Sequence, residues 1–542
     1  MVMRVKFRLL LGVSLAAVVV FLVVRGVVKE LIFEMRLSND ILNLALLLGN
    51  DFHGTNVRCL ARRRKETQPE RSEVEQLCQC LLHPLRSNGV PDFVATTRHF
   101  GGKNAKGRGL SHMDELVADL LNEMHCNLTV YQYPITTTDF RMIPEFLSVR
   151  QILRASGNPG YQTERIIWSN MQQLPNFAVL PSETALPEET DALFALPVFP
   201  TTATFAHRND LRVHWNQLLA HFMPDLTVPN FDVWRSAEDI RKTIEDITKQ
   251  FPYFNRSKGR LHFLTTSHDG GRADFLAFAD PVFVHNGSVL TCTADLVKRH
   301  EYETMHNVER FKSWSSSKPI KIPYKPPYIF DPRRDVSISL SGNIMLAARA
   351  LRDVTGPIIG PEYKHSSAST VSTLLQATGR RYFVFFAGKI RNTVRADLVK
   401  IFQDTPGSFV VQHKFRRREY ESGLRNSIFC LCPRGWRGWS PRLMEAMFFG
   451  CIPVVLADDY WMPQGCFWDW TTLAVLVREA DVRKTREILL NMSVAEVMQK
   501  QHDLLLLRHH FMYHMNLQSG DASDMAMLEL WLKQVVCERQ KR

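Results

Sequence analysis

Apolar runs of four to six residues alternate with helical-period segments along the chain, and the clearest alternation lies between Ser427 and Ala457, SIFCLCPRGWRGWSPRLMEAMFFGCIPVVLA. Ser427 to Leu431 fits a buried strand, and Pro433 to Trp439 is a loop of proline, glycine and arginine. Ser440 suits a helix N-cap with Pro441 at the first helical position, and Leu443, Met444, Met447 and Phe448 supply its apolar side. Gly450 ends the helix, and Ile452 to Leu456 is a second apolar strand.

The same alternation extends outward. Asn127 to Pro134, Ala192 to Val198, Arg260 to Ser267, Tyr382 to Ala387 and Phe409 to Gln412 read as strands. Glu145 to Ala155, Glu164 to Gln173, Arg208 to Phe222, Ala237 to Lys249 and Thr393 to Phe402 carry helical spacing, as does most of Val494 to Gln534. Strands and helices in alternation predict an α/β fold of doubly wound parallel sheets. Tyr324 to Val336, rich in proline and aromatic residues, reads as an extended linker between two halves, with a boundary near 340.

In a strand, glycine-bearing loop, helix and strand unit, ligands bind at the strand's carboxyl end and the helix N-terminus, a place that suits diphosphate. Arg434, Arg437 and Arg442 cluster there, and guanidinium matches phosphate oxygens in charge and geometry. Glu445 lies three residues past Arg442 on the same helix face, where a carboxylate can accept both hydroxyls of a ribose. The competing interpretation is a buried core unit with arginines coating its surface. A second informative stretch is Phe251 to Gly271, FPYFNRSKGRLHFLTTSHDGG, in which His262, His268 and Asp269 are expected at or just beyond the strand's carboxyl half.

The amino terminus changes the picture. Leu9 to Val24 carries no charge and is flanked by Arg4, Lys6 and Arg8 on one side and Arg25 and Lys29 on the other. This pattern predicts an uncleaved signal-anchor over 9–28, a cytoplasmic tail over 1–8 and a lumenal body; a cleaved signal peptide is the rival. Residues 29–123, poorly patterned and basic, read as a stem. With 542 residues, 45% hydrophobic, the chain has room for two or three domains, and 67 Lys and Arg against 55 Asp and Glu suit anionic ligands. Ten cysteines are too few for a disulfide scaffold, and the pairs Cys78/Cys80 and Cys430/Cys432 lack zinc-ligand spacing, so they read as structural or disulfide-forming. Glycosylation sequons at Asn127, Asn255, Asn286 and Asn491 all follow the anchor.

The words CLCPRG, SPRLMEA and GCIPVVLADD closely resemble the signature of the exostosin-like glycosyltransferases, and the resemblance extends over roughly 124–535. It implies a GT-B fold: two Rossmann-like domains facing a cleft, here an acceptor-side domain over 124–340 and a nucleotide-sugar domain over 341–500, followed by a helical tail over 501–542. It further implies inverting transfer from a UDP-sugar to a polysaccharide or proteoglycan-like glycan by a single-pass type II enzyme of the Golgi membrane. Such transfer needs a base for the acceptor hydroxyl and positive charge for the departing diphosphate. His268 and Asp269 are the expected base or base-orienting pair, with His262 a third candidate. Arg391, which matches the arginine of the family's Phe-Phe-Ala-Gly-x-x-Arg word, joins Arg434 and Arg442 as diphosphate ligands, with Ser440 capping the helix and Glu445 holding the nucleoside. Asp458 and Asp459 are not read as metal ligands, and neither a metal nor another cofactor is expected. Partners are the UDP-sugar, the glycan acceptor and a second copy or another glycosyltransferase, with no nucleic acid. Two departures from the family stand out: Leu261 replaces its usual aspartate, and Trp461 to Trp470 replaces its Leu-Pro-Phe. They keep a second reading open, a non-catalytic partner or scaffold of a glycan polymerase.

Overall fold

The computed structural model describes residues 71–82, 110–134, 163–180, 192–201, 231–268, 271–272, 281–296, 330–340, 347, 350, 370–390, 392–412, 416–435 and 437–540. The tail and anchor over 1–28, the helices expected at 145–155 and 208–222, Asp269 and Arg391 lie outside them. Among the described residues no helix is long and apolar enough to cross a membrane.

Two all-parallel sheets organise the chain. The first comprises β1 (Val130–Gln132), β2 (Phe177–Val179), β3 (Leu193–Ala195), β4 (His262–Thr266), β5 (Ser288–Thr291) and β6 (Val336–Ser337), in the order β2-β1-β3-β4-β5-β6. The second comprises β7 (Tyr382–Ala387), β8 (Ser408–Val411), β9 (Ser427–Pro433), β10 (Ile452–Leu456) and β11 (Val475–Leu476), in the order β11-β10-β9-β7-β8. Both orders begin on a central strand, step to one side and then return. Each therefore has a switch point, between β1 and β3 and between β7 and β9, where a crevice opens at the carboxyl ends. Parallel strands are covered on both faces, which is why YFVFFA, SIFCLCP and IPVVL are almost uninterrupted apolar runs.

The helices relevant to the site are α1 (Arg71–Leu82), α2 (Leu110–Asn127), α3 (Thr163–Met171), α4 (Phe231–Gln250), α5 (Val371–Thr378), α6 (Thr393–Phe402), α7 (Arg417–Asn426), α8 (Pro441–Phe448), α9 (Val494–Leu507) and α10 (Ala522–Trp531). Helix α7 lies close against β7 because Gly423 presents no side chain to Phe385; a Cβ there would overlap the ring. Helix α6 is capped by Asn392, whose side chain accepts from the Arg395 amide at 3.0 Å.

Three expectations are corrected. The stem does not run unbroken to 123. Leu77, Leu81, Leu116, Val117 and Leu120 are buried in the main core, so α1 and α2 belong to the folded body. Disulfides Cys78–Cys537 and Cys80–Cys466 fasten α1 to it, while Cys430–Cys451 links the middle of β9 to the residue that precedes β10. Residues 330–337 are not a free linker either. Asp335, fully buried, pairs with Arg272 and accepts the Val289 and Asp331 amides at 3.0 and 2.9 Å, so this stretch closes the first sheet with β6. Finally, His262 begins β4 instead of lying in its carboxyl half.

The carboxyl-terminal helices return to the first half. His125 of α2 bonds Asp524 of α10 at 2.8 Å, the Tyr513 hydroxyl donates to the Ser339 carbonyl at 2.8 Å, and the Lys533 ammonium donates to the Asp335 carbonyl at 2.6 Å. The segment Trp461 to Trp470 is core: the Trp468 indole donates to Gln464, the Trp470 indole donates to the Pro463 carbonyl, and both rings are buried.

Candidate active site

The crevice of the second sheet is built where β7 ends at Ala387 and β9 ends at Pro433. Arg442, in the first turn of α8, crosses it. One terminal nitrogen donates to the Leu431 carbonyl at 2.8 Å and the other to the Ala387 carbonyl, with the guanidinium 5.0 Å from the centre of the Phe386 ring. The arginine expected to hold diphosphate is therefore a strut between β9 and β7, because parallel strands that diverge at a switch point leave carbonyls that no neighbouring strand satisfies. Its charge faces neutral carbonyls, so the positive field at the crevice persists.

Replacing Arg442 by methionine, which keeps the length and apolar contact, would leave two buried carbonyls without a donor. We expect a loss of about 2–4 kcal/mol, read as a lower denaturant midpoint at unchanged slope.

The loop after β9 is held from several sides. The Arg434 amide donates to the Leu456 carbonyl at 3.0 Å, and its buried guanidinium lies 3.6 Å from Glu479. Arg434 is thus partnered within the protein, where sequence pattern had it reaching for phosphate. The Gly435 amide donates to the Arg437 carbonyl at 2.9 Å, closing a tight turn. Two residues that pattern reading missed tie this loop to α6. The Arg395 Nε donates to the Arg434 carbonyl at 2.9 Å, and the Asn392 side-chain amide donates to the Arg434 and Gly435 carbonyls at 3.2 Å each. Asn392 also caps α6, so one side chain starts the helix and holds the loop after β9.

The first half meets this loop at Asp295, another residue that no pattern marked. Its Oδ1 accepts the Gly438 amide at 2.7 Å. A Cβ on Gly438 would stand 2.5 Å from that oxygen and 2.7 Å from the Tyr460 Cβ, so the approach requires glycine. Nearby, the Leu296 amide donates to the Asp459 carbonyl and the Trp461 amide to the Ala294 carbonyl, each at 2.8 Å. His268 follows β4 on the same side of the first sheet, half-buried, and its carbonyl accepts from the Thr293 hydroxyl at 3.3 Å. The loops after β4 and β5 are thereby adjacent, and the second of them touches the loop carrying Arg434 and Arg437.

His262 is not part of this crevice. It is fully buried, stacked 4.9 Å from Phe194, with Nε2 2.6 Å from the Tyr133 hydroxyl and Nδ1 3.3 Å from the Ser257 hydroxyl. Burial pushes its pKa down to about 3, so it stays neutral and is a poor base as well as an inaccessible one.

Ser440 occupies the N-cap of α8 with extended backbone angles, but its side chain makes no capping bond. Pro441 has no amide hydrogen and the Leu443 amide donates to the Ser440 carbonyl at 3.0 Å, so of the first three positions of α8 only Arg442 has an amide left open. Glu445, one turn further, is half-buried and accepts a hydrogen bond from the Tyr420 hydroxyl. Asp458 bonds Glu479 through the amides of both residues, at 3.2 and 2.9 Å. Among the described residues, one cluster has metal-ligand types within 4.8 Å, namely Asp114, His509 and His510. The two imidazole centres lie 3.7 Å apart, nearer than the roughly 5 Å that two rings radiating from one tetrahedral ion would have. The sequons at Asn127, Asn255 and Asn491 are exposed, while the Asn286 side chain donates to the Lys258 carbonyl at 2.8 Å.

Comparison with known proteins adds to this geometry. Residues 217–492 match the exostosin GT47 domain. A protein of Arabidopsis thaliana named a probable glycosyltransferase is 28% identical over 307 residues, covering 56% of this chain and 49% of its own length. A rice protein, Oryza sativa subsp. japonica, named a probable glucuronosyltransferase is 29% identical over 304 residues, 53% of this chain and 61% of its own. A second Arabidopsis protein, named a probable glucuronoxylan glucuronosyltransferase, is 25% identical over 304 residues, 52% and 56% respectively. The chain thus spans about half to three fifths of the length of these relatives.

Proposed function

This chain belongs to the exostosin GT47 family, and from that premise we propose that it is an inverting glycosyltransferase with a GT-B fold. It moves a sugar from a UDP-sugar to a hydroxyl of a polysaccharide or proteoglycan-like glycan. The observation that carries the reading is the open amino terminus of α8 at the switch point of the second sheet, backed by the buried cations Arg434, Arg437 and Arg442. The open Arg442 amide and the helix dipole, in a positive surround, favour diphosphate, and favour it more as the leaving group gains charge. Arg442 acts here through its field and Arg434 through the shape of the loop, while direct contacts fall to the Arg442 amide and Arg391. Glu445 takes the ribose hydroxyls.

On the acceptor side, His268 with Asp269 removes the proton from the attacking hydroxyl. Protein cations and amides stabilise the diphosphate without a metal or other cofactor. The three disulfides among the described residues, with Cys126 also disulfide-bonded, suit an oxidising compartment. Together with Leu9 to Val24 and the exposed sequons, they support a single-pass type II protein of the Golgi membrane with a lumenal body, working alone, as an oligomer or with another glycosyltransferase.

The test is UDP release by the detergent-solubilised full chain across UDP-sugars and mixed glycan acceptors, starting with UDP-glucuronic acid because the relatives are named for glucuronosyl transfer. Acceptor-dependent release with one donor is the expected result. No turnover with any donor would overturn catalysis in favour of a non-catalytic partner of a glycan polymerase.

A further inference from the structure

Helix α7 has no place in the sequence reading of the site, yet it supplies the bond that orients Glu445. The Tyr420 hydroxyl donates to Glu445 Oε2, and Oε1 makes no hydrogen bond among the described residues. The ionisable groups facing this carboxylate are Tyr420 from α7, Arg442 from its own helix and the Cys432 thiol from β9, with Arg395 beyond the thiol. Arg442 directs its terminal nitrogens to the Leu431 and Ala387 carbonyls, and Arg395 is bonded to the carbonyls of Arg434 and Lys389. Burial pushes the Cys432 thiol up to about 12, so it is neutral. Tyr420 is thus the one donor bonded to the Glu445 side chain among the described residues.

Resting on the donor reading above, we propose that Tyr420 is the positioning residue of the nucleoside pocket: it holds one oxygen of Glu445 and so presents the other, Oε1, to the vicinal hydroxyls of a ribose. An ionised carboxylate only accepts, and a ribose diol only has to donate, so the match requires Glu445 to be charged. Burial raises the Glu445 pKa, while the Tyr420 bond and Arg442 pull it back. Removing the hydroxyl leaves burial less opposed. Nucleotide binding needs the carboxylate, is present above its pKa and is lost as pH falls through it, so the loss should begin at higher pH in Tyr420→Phe. The tyrosine ring packs edge-on against Phe385 at 5.6 Å, a contact phenylalanine keeps.

The experiment is equilibrium binding of UDP and 2′-deoxy-UDP to the full chain from about pH 5 to about pH 8, bracketing a raised carboxyl. For Tyr420→Phe the acid limb for UDP should move upward, with affinity about tenfold below the parent's at the acid end and a smaller preference for UDP over the deoxy form. Glu445→Gln should bind weakly at every pH, without that limb. Superimposable profiles for Tyr420→Phe and the parent, alongside weak binding by Glu445→Gln, would make Tyr420 a packing residue only and overturn the proposal while sparing the donor reading. Absence of UDP binding by the parent overturns both. Should Tyr420→Phe not fold, Glu445→Asp, which withdraws the carboxylate from the phenol, should move the limb the same way; an unmoved limb overturns the proposal.

Discussion

Glu445→Gln should fold like the parent and lose about a hundredfold in kcat/KM for the donor. With the glutamine carbonyl held by Tyr420, its NH2 faces the ribose and cannot accept from the hydroxyls, so two charge-assisted bonds are lost, and about 1–2 kcal/mol for each sums to roughly two orders of magnitude. Glutamine is the cleaner substitution because its carbonyl oxygen still accepts from Tyr420, so no buried hydroxyl loses its partner. The loss should appear mainly in KM and in UDP affinity, since ribose contacts are made in ground and transition states alike. An active parent whose Glu445→Gln variant turns over normally would move the nucleoside elsewhere. If the parent is silent but a partner polymerase needs it, and Glu445→Gln serves equally well, the scaffold reading stands.

Cys78→Ser combined with Cys537→Ser should be the most destabilising change away from the crevice. That bond joins positions separated by 459 residues, whereas Cys430–Cys451 joins positions 21 apart. Cross-links over longer loops remove more freedom from the unfolded chain. In the entropy-only limit the longer closure would exceed the shorter by about 3 kcal/mol, but Cys80–Cys466 already bridges most of that length, so a total of about 3–5 kcal/mol is expected. Helix α1 also buries Leu77 and Leu81 but is only 12 residues long, too short to persist by itself in water. Limited proteolysis should therefore cut within α1 sooner than in the parent, and the thermal transition should fall clearly below that of the parent. Cleavage and melting identical to the parent would mean that Cys80–Cys466 and apolar packing suffice to retain α1.

Much of the framework was legible in the amino-acid order. Strands β4, β7, β9 and β10 and helices α6 and α8 lie where apolar runs, helical spacing, Ser440 and Pro441 place them, because a strand buried on both faces and a helix with one buried side each impose a local pattern. The arginine cluster and Glu445 were legible as residue types at a crevice for the same reason. The histidines were less so. His262 and His268 differ only in which end of a five-residue strand they adjoin, and boundary shifts of that size exchange core for crevice.

Local order along this chain accordingly settles which segments are strand or helix and where cations and carboxylates concentrate. What each charged group touches came only with folding. Arg442 meets Ala387, 55 positions earlier, Tyr420 meets Glu445, and Asp295 meets Gly438, 143 positions later. Periodicity reports the environment of a residue within its own element. A hydrogen bond across two parallel strands, or between the two halves, depends on sheet order and loop approach, which no neighbouring residue encodes.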